Sequence, residues 1–444
     1  MADRLGGRRR RFVPVAVLVT ALAFTGCTGG TIDPAARFDH VDGTLDEAMT
    51  TSLQALLDEA VALSGSSGGV AGAWVPWAGE WEAAAGTAGF DEGAPAVTPE
   101  TRFHMASLTA EVTCTILLRL VDEGTVQLSD DVAQYVDWVP GIDGITLEQL
   151  CRHTSGLADY YPVLRSHFVR NPERVWPAGE LLASGLALSR VGPPGEQWSY
   201  SRTGVLLLSL ALERSTGRSW NDLARQYVLG PLGLDDTELP APNDTTHDEV
   251  LGAYSAGIAQ NGAIDCAVVL DDSSQSSSMG GAAGGALTSL DDLARFSEAF
   301  ATGALVGEQT ARAQWSSTPL GGDAPAWQDW GIGGGQYGPM RGSGGEAPGA
   351  VTAAFTDPES GLTVVIALNN STSGDAFVRE VAFALASIAS KASPAPDHEQ
   401  PLVELPWSLE QATAKMRELA KCPIVAEAPA EAPAEGPAEA PAEG

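Results

Sequence analysis

The spacing of apolar residues predicts a mixed fold, α/β plus all-α: an antiparallel sheet assembled from both chain ends, with a helical insertion between them. Three observations carry this expectation. Two extended runs near the start, 70–77 and 80–86, are joined by the short turn Ala78-Gly79 and read as a hairpin. Two more, 350–356 and 361–368, flank the turn D-P-E-S-G near the other end. Between the pairs, apolar residues recur at helical instead of alternating spacing.

In chain order, the first element is a helix over 45–63, where Leu53, Leu56, Leu57, Ala60, Val61 and Leu63 recur at helical spacing. After the hairpin the helical pattern returns over 107–123, 145–151, 176–188, 203–216 and 290–301. The second strand pair is followed by a closing helix over 376–388. Residues 391–405 are proline-rich and polar and read as a linker, followed by a last short helix over 406–422, so that 391–425 is a linker and short helix. In 426–444, Glu427, Glu431, Glu435, Glu439 and Glu443 recur with proline at the same period. Proline forbids a continuous helix and the composition buries nothing, so an extended, solvated Ala/Pro/Glu tail is expected there.

A chain of 444 residues that is 44% hydrophobic can bury one large core or two moderate ones, which excludes disorder for its bulk. With 25 Lys+Arg against 57 Asp+Glu the net charge is −32, which repels polyphosphate and excludes nucleic acid as a partner. The only lysines are Lys391, Lys415 and Lys421, so no side chain before 391 supplies an amine.

The start of the chain has Arg4, a run of arginines at 8–11, an apolar stretch over 12–24 and then F-T-G-C. This describes a signal peptide over 1–26 and resembles the lipobox of bacterial lipoproteins, with Cys27 as the acylated residue and 27–44 as a tether. Phe24 stands where leucine is usual, an ordinary secretory peptide is the alternative, and the arginine run also fits the twin-arginine pattern. The expected location is the outer face of the cell membrane, held by acyl chains that need no basic patch. Four cysteines then remain, Cys114, Cys151, Cys266 and Cys422, which permit two disulfides in three connectivities; buried free thiols are the alternative.

Several stretches carry a resemblance: T-P-E-T-R-F-H-M-A-S-L-T from Thr98, L-V-D-E-G-T-V-Q-L-S-D-D-V from Leu120, I-T-L-E-Q-L-C-R-H-T-S-G-L from Ile145 and P-G-E-Q-W-S-Y-S from Pro194. Others are P-L-G-L-D-D-T from Pro231, G-G-A-L-T-S-L-D-D-L-A-R-F from Gly284 and F-T-D-P-E-S-G-L-T-V-V-I from Phe355. Over 45–390 the chain resembles the serine β-lactamase and D-alanyl-D-alanine carboxypeptidase (penicillin-binding) superfamily, most closely its class C and esterase-like branch. The resemblance implies a β-lactamase-like fold with the site in a cleft between an α/β and an all-helical domain.

The family's chemistry needs three motifs in that cleft, and each departs here. For S-x-x-K the chain has Ser107 but Ala110 at the lysine position, and Glu111 is rotated about 100° further round the helix with the wrong charge. For Y-x-N it has Tyr200, Ser201 and Arg202; a phenol with a pKa near ~10 is a poor base unless a cation helps it. For K-T-G or H-x-G it has Ser343, Gly344 and Gly345, with Arg341 just before and placed to reach the cleft; a shift of one residue would put Gly342 at the basic position. Ser107 therefore reads as a helix-capping serine and Tyr200 as a packed cleft residue.

The resulting expectation is an exported, lipid-anchored, catalytically degenerate protein whose cleft binds a small molecule or peptide, with a cell-wall fragment among the candidates. One alternative is an active serine esterase or D,D-peptidase using Ser107 and Tyr200 with Arg202 as activating cation; another is a purely structural envelope protein. Tyr200 and Arg202, two apart in an extended segment, are expected to share a face and make the cleft cationic. The helical face of Cys114 and the family position of the H-T-S-G turn suggest a Cys114–Cys151 bridge, leaving Cys266 and Cys422 as a second pair. His153 in that turn reads as structural, and the six histidines show no ligand spacing, so neither metal nor cofactor is expected. Trp74, Trp77 and Trp81 are either a glycan platform or hairpin packing. The oligomeric state is left open.

Overall fold

The hairpin Gly68–Val75 and Gly79–Gly86 pairs antiparallel with the late strand Thr363–Leu368, in register from Gly69 opposite Leu368 to Trp74 opposite Thr363. The two ends of the chain thus build one eight-stranded sheet, continuing through Ala350–Thr356, Met340–Ala347, Gly335–Tyr337, Gln328–Trp330 and Thr318–Pro319. The computed structural model describes residues 31–247, 249–259 and 261–424. The expected signal peptide over 1–26, the expected lipidation site Cys27 and the tail over 426–444 lie outside the described residues.

Both faces of the central sheet are covered, which is why Ala350–Thr356 and Thr363–Leu368 are buried at every position. Alternation sorts their side chains. Val351, Ala353, Phe355, Val364, Ile366 and Leu368 join one core with the helices Glu47–Ser64 and Gly374–Ala389. Ala354, Val365 and Ala367 join a second core with Leu290–Thr302 and the helical body. Trp77 and Trp81 belong to the first core and Trp74 packs against the second, so the three form hairpin packing and share no platform.

The first helix begins where Asp46 caps it by accepting from the Met49 N–H at 2.9 Å and stops at Gly65 with φ 71°, a left-handed cap open to glycine. The other expected helices appear as Thr109–Asp122, Leu147–Cys151, Ala178–Leu186, Arg202–Thr216 and those already named. Among the described residues no helix is long and apolar enough to cross a membrane.

Three differences from the sequence expectation matter. The strand Met340–Ala347 has three glycines and no β-branched residue, yet neighbours on both sides hold it in the sheet. A separate hairpin, Tyr254–Ile258 with Ile264–Asp271, and a helix, Tyr161–Phe168, carried no clear periodic signal. The segment after 391 is no linker. The Trp77 indole N–H donates to the Ala392 carbonyl at 2.8 Å, and Trp407 stacks on Phe383 with ring centroids 4.0 Å apart. Helix Leu409–Leu419 then packs on Gly374–Ala389. The prolines hid this because local composition registers chain stiffness and misses two tryptophans anchoring the segment to the core.

Cys114 is bonded to Cys151, with Cα atoms 5.9 Å apart. Cys266 is bonded to Cys422, tying the separate hairpin to the end of the described chain.

Candidate active site

Ser107 sits in a tight turn, Ala106–Leu108, that opens directly into helix Thr109–Asp122. Ala106 has φ 52°, a left-handed conformation unusual for a residue with a Cβ. The turn presses on strand Met340–Ala347: a Cβ at Gly345 would come within 2.7 Å of the Ser107 nitrogen, so only glycine allows the approach. Ser107 does not cap the helix. Its hydroxyl faces the cleft, donates to the Glu346 carbonyl at 3.2 Å and accepts from Arg202 Nη2 at 3.1 Å.

Ala110, in the lysine position, is buried among Tyr160, Tyr161, Phe168, Val205, Leu206 and Met279. An apolar cluster thus fills the region where an amine would be needed. Glu111 turns the other way, toward the strand, where the Ser343 hydroxyl donates to its Oε1. Burial pushes its carboxyl up to about 8, with the serine hydrogen bond opposing the rise.

Tyr200 and Arg202 both line the cleft, but by a different route from a shared strand face. Arg202 is the first residue of helix Arg202–Thr216, and Ser201 caps that helix by accepting from Gly204 N–H at 3.2 Å. A cation at a helix N-terminus opposes the dipole, and Asp159 offsets it. Its carboxylate accepts from the Arg202 backbone N–H at 3.2 Å and from Nη1 at 2.7 Å. The guanidinium lies over the Tyr161 ring, 4.2 Å from its centroid. The Tyr200 hydroxyl is enclosed without a hydrogen-bond partner of ordinary geometry, and burial pushes it up to about 12, opposed by Arg202 and by nearby Ser107. Phenolate is therefore disfavoured at neutral pH.

His153 supports this wall from behind. Its Nδ1 accepts from the Ser201 backbone N–H at 3.2 Å and its ring stacks 4.1 Å from Tyr200. Burial, reinforced by the Arg202 charge, pushes it down to about 3, so it is a neutral structural acceptor.

The comparisons with known proteins fit this geometry. Residues 53–387 match the Beta-lactamase family. The chain belongs to that family. It is 35% identical over 147 residues to the D-alanyl-D-alanine-carboxypeptidase/endopeptidase AmpH of Escherichia coli strain K12, covering 32% of this chain and 37% of that one. It is 34% identical over 160 residues to a D-aminopeptidase of Cereibacter sphaeroides, covering 34% of this chain and 29% of that one. The matches thus span about a third of the length of these curated relatives. Among solved structures, a D-stereospecific amidohydrolase from a Streptomyces species is 28% identical with TM-score 0.65, covering 76% of this chain and 98% of that one. A penicillin-binding protein from Bacillus halodurans, 21% identical with TM-score 0.60 over 72% of this chain and 95% of that one, shares the fold.

Within this β-lactamase-family cleft of about 390 Å³, the third motif also departs from expectation. Arg341 turns out of the cleft, donating to the Ala301 carbonyl at 2.7 Å and stacking 4.4 Å from the Trp315 ring. Ser343 does line the cleft, and Gly345 serves the close approach to Ser107. Nor is the cleft simply cationic. Arg165, Arg202 and Arg379 face Glu346, Asp159 and Asp375, with Arg165 Nε 3.4 Å from Glu346 Oε1. Sequence reasoning missed Asp159, Arg165, Glu346 and Arg379, because isolated charges far apart in the chain carry no spacing signal. The one available clue was Arg202 itself, since a guanidinium in a family cleft requires a carboxylate partner.

Proposed function

We propose that the cleft receives a carboxylate-bearing small molecule or peptide of the D-amino-acid kind named in the relatives, and that Ser107 is not its nucleophile. The observation that carries this reading is Arg202 Nη2 donating to Ser107 Oγ at 3.1 Å. A guanidinium cannot take the proton that a serine must lose. Among the described residues no carboxylate, imidazole or amine forms a hydrogen bond with that hydroxyl. The Trp198 indole and the Arg165, Arg202 and Arg379 guanidinium groups along the cleft wall favour a ligand rich in acceptors. Export and a lipid anchor on Cys27, placing the cleft at the outer membrane face, belong to the same proposal; Cys27→Ser should release the protein from membranes.

A second reading, Ser107-dependent hydrolysis, is favoured by the relatives, whose names are those of peptidases and amidohydrolases. A fluorescent penicillin separates the two. Absence of covalent label, together with calorimetric binding of a D-alanine-terminated peptide that weakens at least about tenfold in Arg202→Ala, supports the proposal. Label that disappears in Ser107→Ala overturns it.

A further inference from the structure

Ser107 lacks a base, but another serine in the same cleft has one. Ser343 lies on strand Met340–Ala347, lines the cleft and is 5% exposed. Its hydroxyl donates to Oε1 of Glu111 at 2.5 Å, and Glu111 projects from the helix that follows Ser107. The strand presses against Ser107 two residues later, at Gly345, and both serines line the cleft. A serine whose proton is already directed at an enclosed carboxylate has the arrangement that nucleophilic catalysis requires.

We infer that Ser343, with Glu111 as its general base, is the nucleophile of the cleft, taking the acyl group of an activated ester and passing it to water. This does not depend on the ligand-binding reading above. In the first half-reaction the Oγ–H proton passes to the Glu111 carboxylate as Oγ bonds to the ester carbonyl carbon. The bond from that carbon to the alkoxy oxygen then breaks, and the departing alkoxide takes the proton back from Glu111. In the second half-reaction water adds to the acyl carbon and gives a proton to Glu111. The carboxylic acid leaves, and Ser343 Oγ recovers its hydrogen. The sum is ester plus water giving acid plus alcohol.

Glu111 is also basic enough to serve. Burial raises it to about 8, and the titratable groups that face it are two phenols, Tyr200 at the cleft wall and Tyr337 on the neighbouring strand. Tyr200, held protonated, remains a donor on the same cleft for a developing oxyanion.

The test uses the full chain with p-nitrophenyl acetate and an alkyl fluorophosphonate, whose phosphorus bonds to the nucleophilic oxygen as fluoride leaves. The expected result is an adduct on the peptide containing Ser343 that persists in Ser107→Ala and vanishes in Ser343→Ala. Ester turnover should rise with pH up to about 8, level off above it, and fall about 10²-fold or more in Glu111→Gln. Thermal melts identify any variant that fails to fold. In that event Ser343→Cys, expected to react with iodoacetamide faster than Ser343→Cys combined with Glu111→Gln, decides the matter. An adduct on Ser107, no adduct, equal alkylation rates, or unchanged turnover in Glu111→Gln each overturns the inference. Absence of any adduct leaves the ligand-binding proposal standing.

Discussion

Arg202 bridges Asp159 and Ser107, its Nη1 2.7 Å from the carboxylate and its Nη2 3.1 Å from the serine hydroxyl. The same Nη2 also reaches the Glu346 carbonyl at 3.1 Å. One side chain thus fixes the first residue of a helix, the loop bearing Asp159, the serine turn and the strand Met340–Ala347. Substituting it tests structure as well as chemistry.

Arg202→Met should destabilise the protein by about 3–5 kcal/mol, because it leaves Asp159 charged and enclosed without its partner. Adding Asp159→Asn should recover much of that loss, giving a large coupling in a double-mutant cycle measured by denaturant unfolding. Neither variant should gain Ser107-dependent hydrolysis of nitrocefin, since both still lack a base on Ser107. If the two losses simply add, Arg202 and Asp159 are not the coupled pair that the geometry shows.

Restoring the family lysine alone should fail. Ala110→Lys places an amine among Tyr160, Phe168, Val205 and Leu206, one helical turn from Ser107, whose hydroxyl already accepts from the Arg202 guanidinium. A cation in those surroundings is both desolvated and repelled, and the loss should be about 2 kcal/mol or more. A melting temperature within about 1 °C of the unsubstituted protein would show that the cluster yields to an amine.

These two cases also show what the residue pattern could and could not reveal. Ser107, Tyr200 and Arg202 were legible because a family motif fixes them at short spacing, and the structure brings all three to one cleft. Arg341 fits the same logic and yet points away, because its guanidinium finds a carbonyl at Ala301 and the Trp315 ring instead. Asp159, Glu346 and Glu111 act through partners more than forty residues away, a relation that only folding creates. The sheet built from both chain ends was legible from two pairs of extended runs, each around a short turn; the strand bearing Ser343 was not, since M-R-G-S-G-G-E-A has no apolar run to read.

The segment after 391 offers a separate test. Trp407 is 9% exposed, stacks on Phe383 and donates its indole N–H to the Phe383 carbonyl at 3.0 Å. Trp407→Ala should cost about 3–5 kcal/mol, the range for emptying a large aromatic site. Cys422→Ser opens a crosslink spanning 156 residues and should cost about 2–4 kcal/mol. Limited proteolysis should then cut near 420 in Cys422→Ser and not in the parent. An unchanged unfolding curve for Trp407→Ala would mean that the segment is dispensable to the core.

Stability should fall as pH rises from about 5 to about 8.5, the reverse of a protein held by paired carboxylates. Glu111 is raised to about 8 and Asp272 and Glu298 to about 7, in each case chiefly by burial. A carboxyl whose folded pKa exceeds its unfolded value holds its proton longer in the native state. Between the two values the native state therefore binds more protons than the unfolded chain, and raising the pH favours unfolding. Their contribution is complete below the unfolded pKa values, 4.5 for glutamate and 3.8 for aspartate, and is lost as each folded pKa is passed. The net charge of −32 adds self-repulsion in the same direction as these groups ionise. The melting temperature should be lower at pH 8.5 than at pH 5 by about 5 °C or more. In Glu111→Gln the fall between about pH 7 and 8.5 should flatten, because the group titrating there is gone. A melting temperature that climbs over the whole range would show that these carboxyls ionise freely in the folded protein and that their enclosure is not tight.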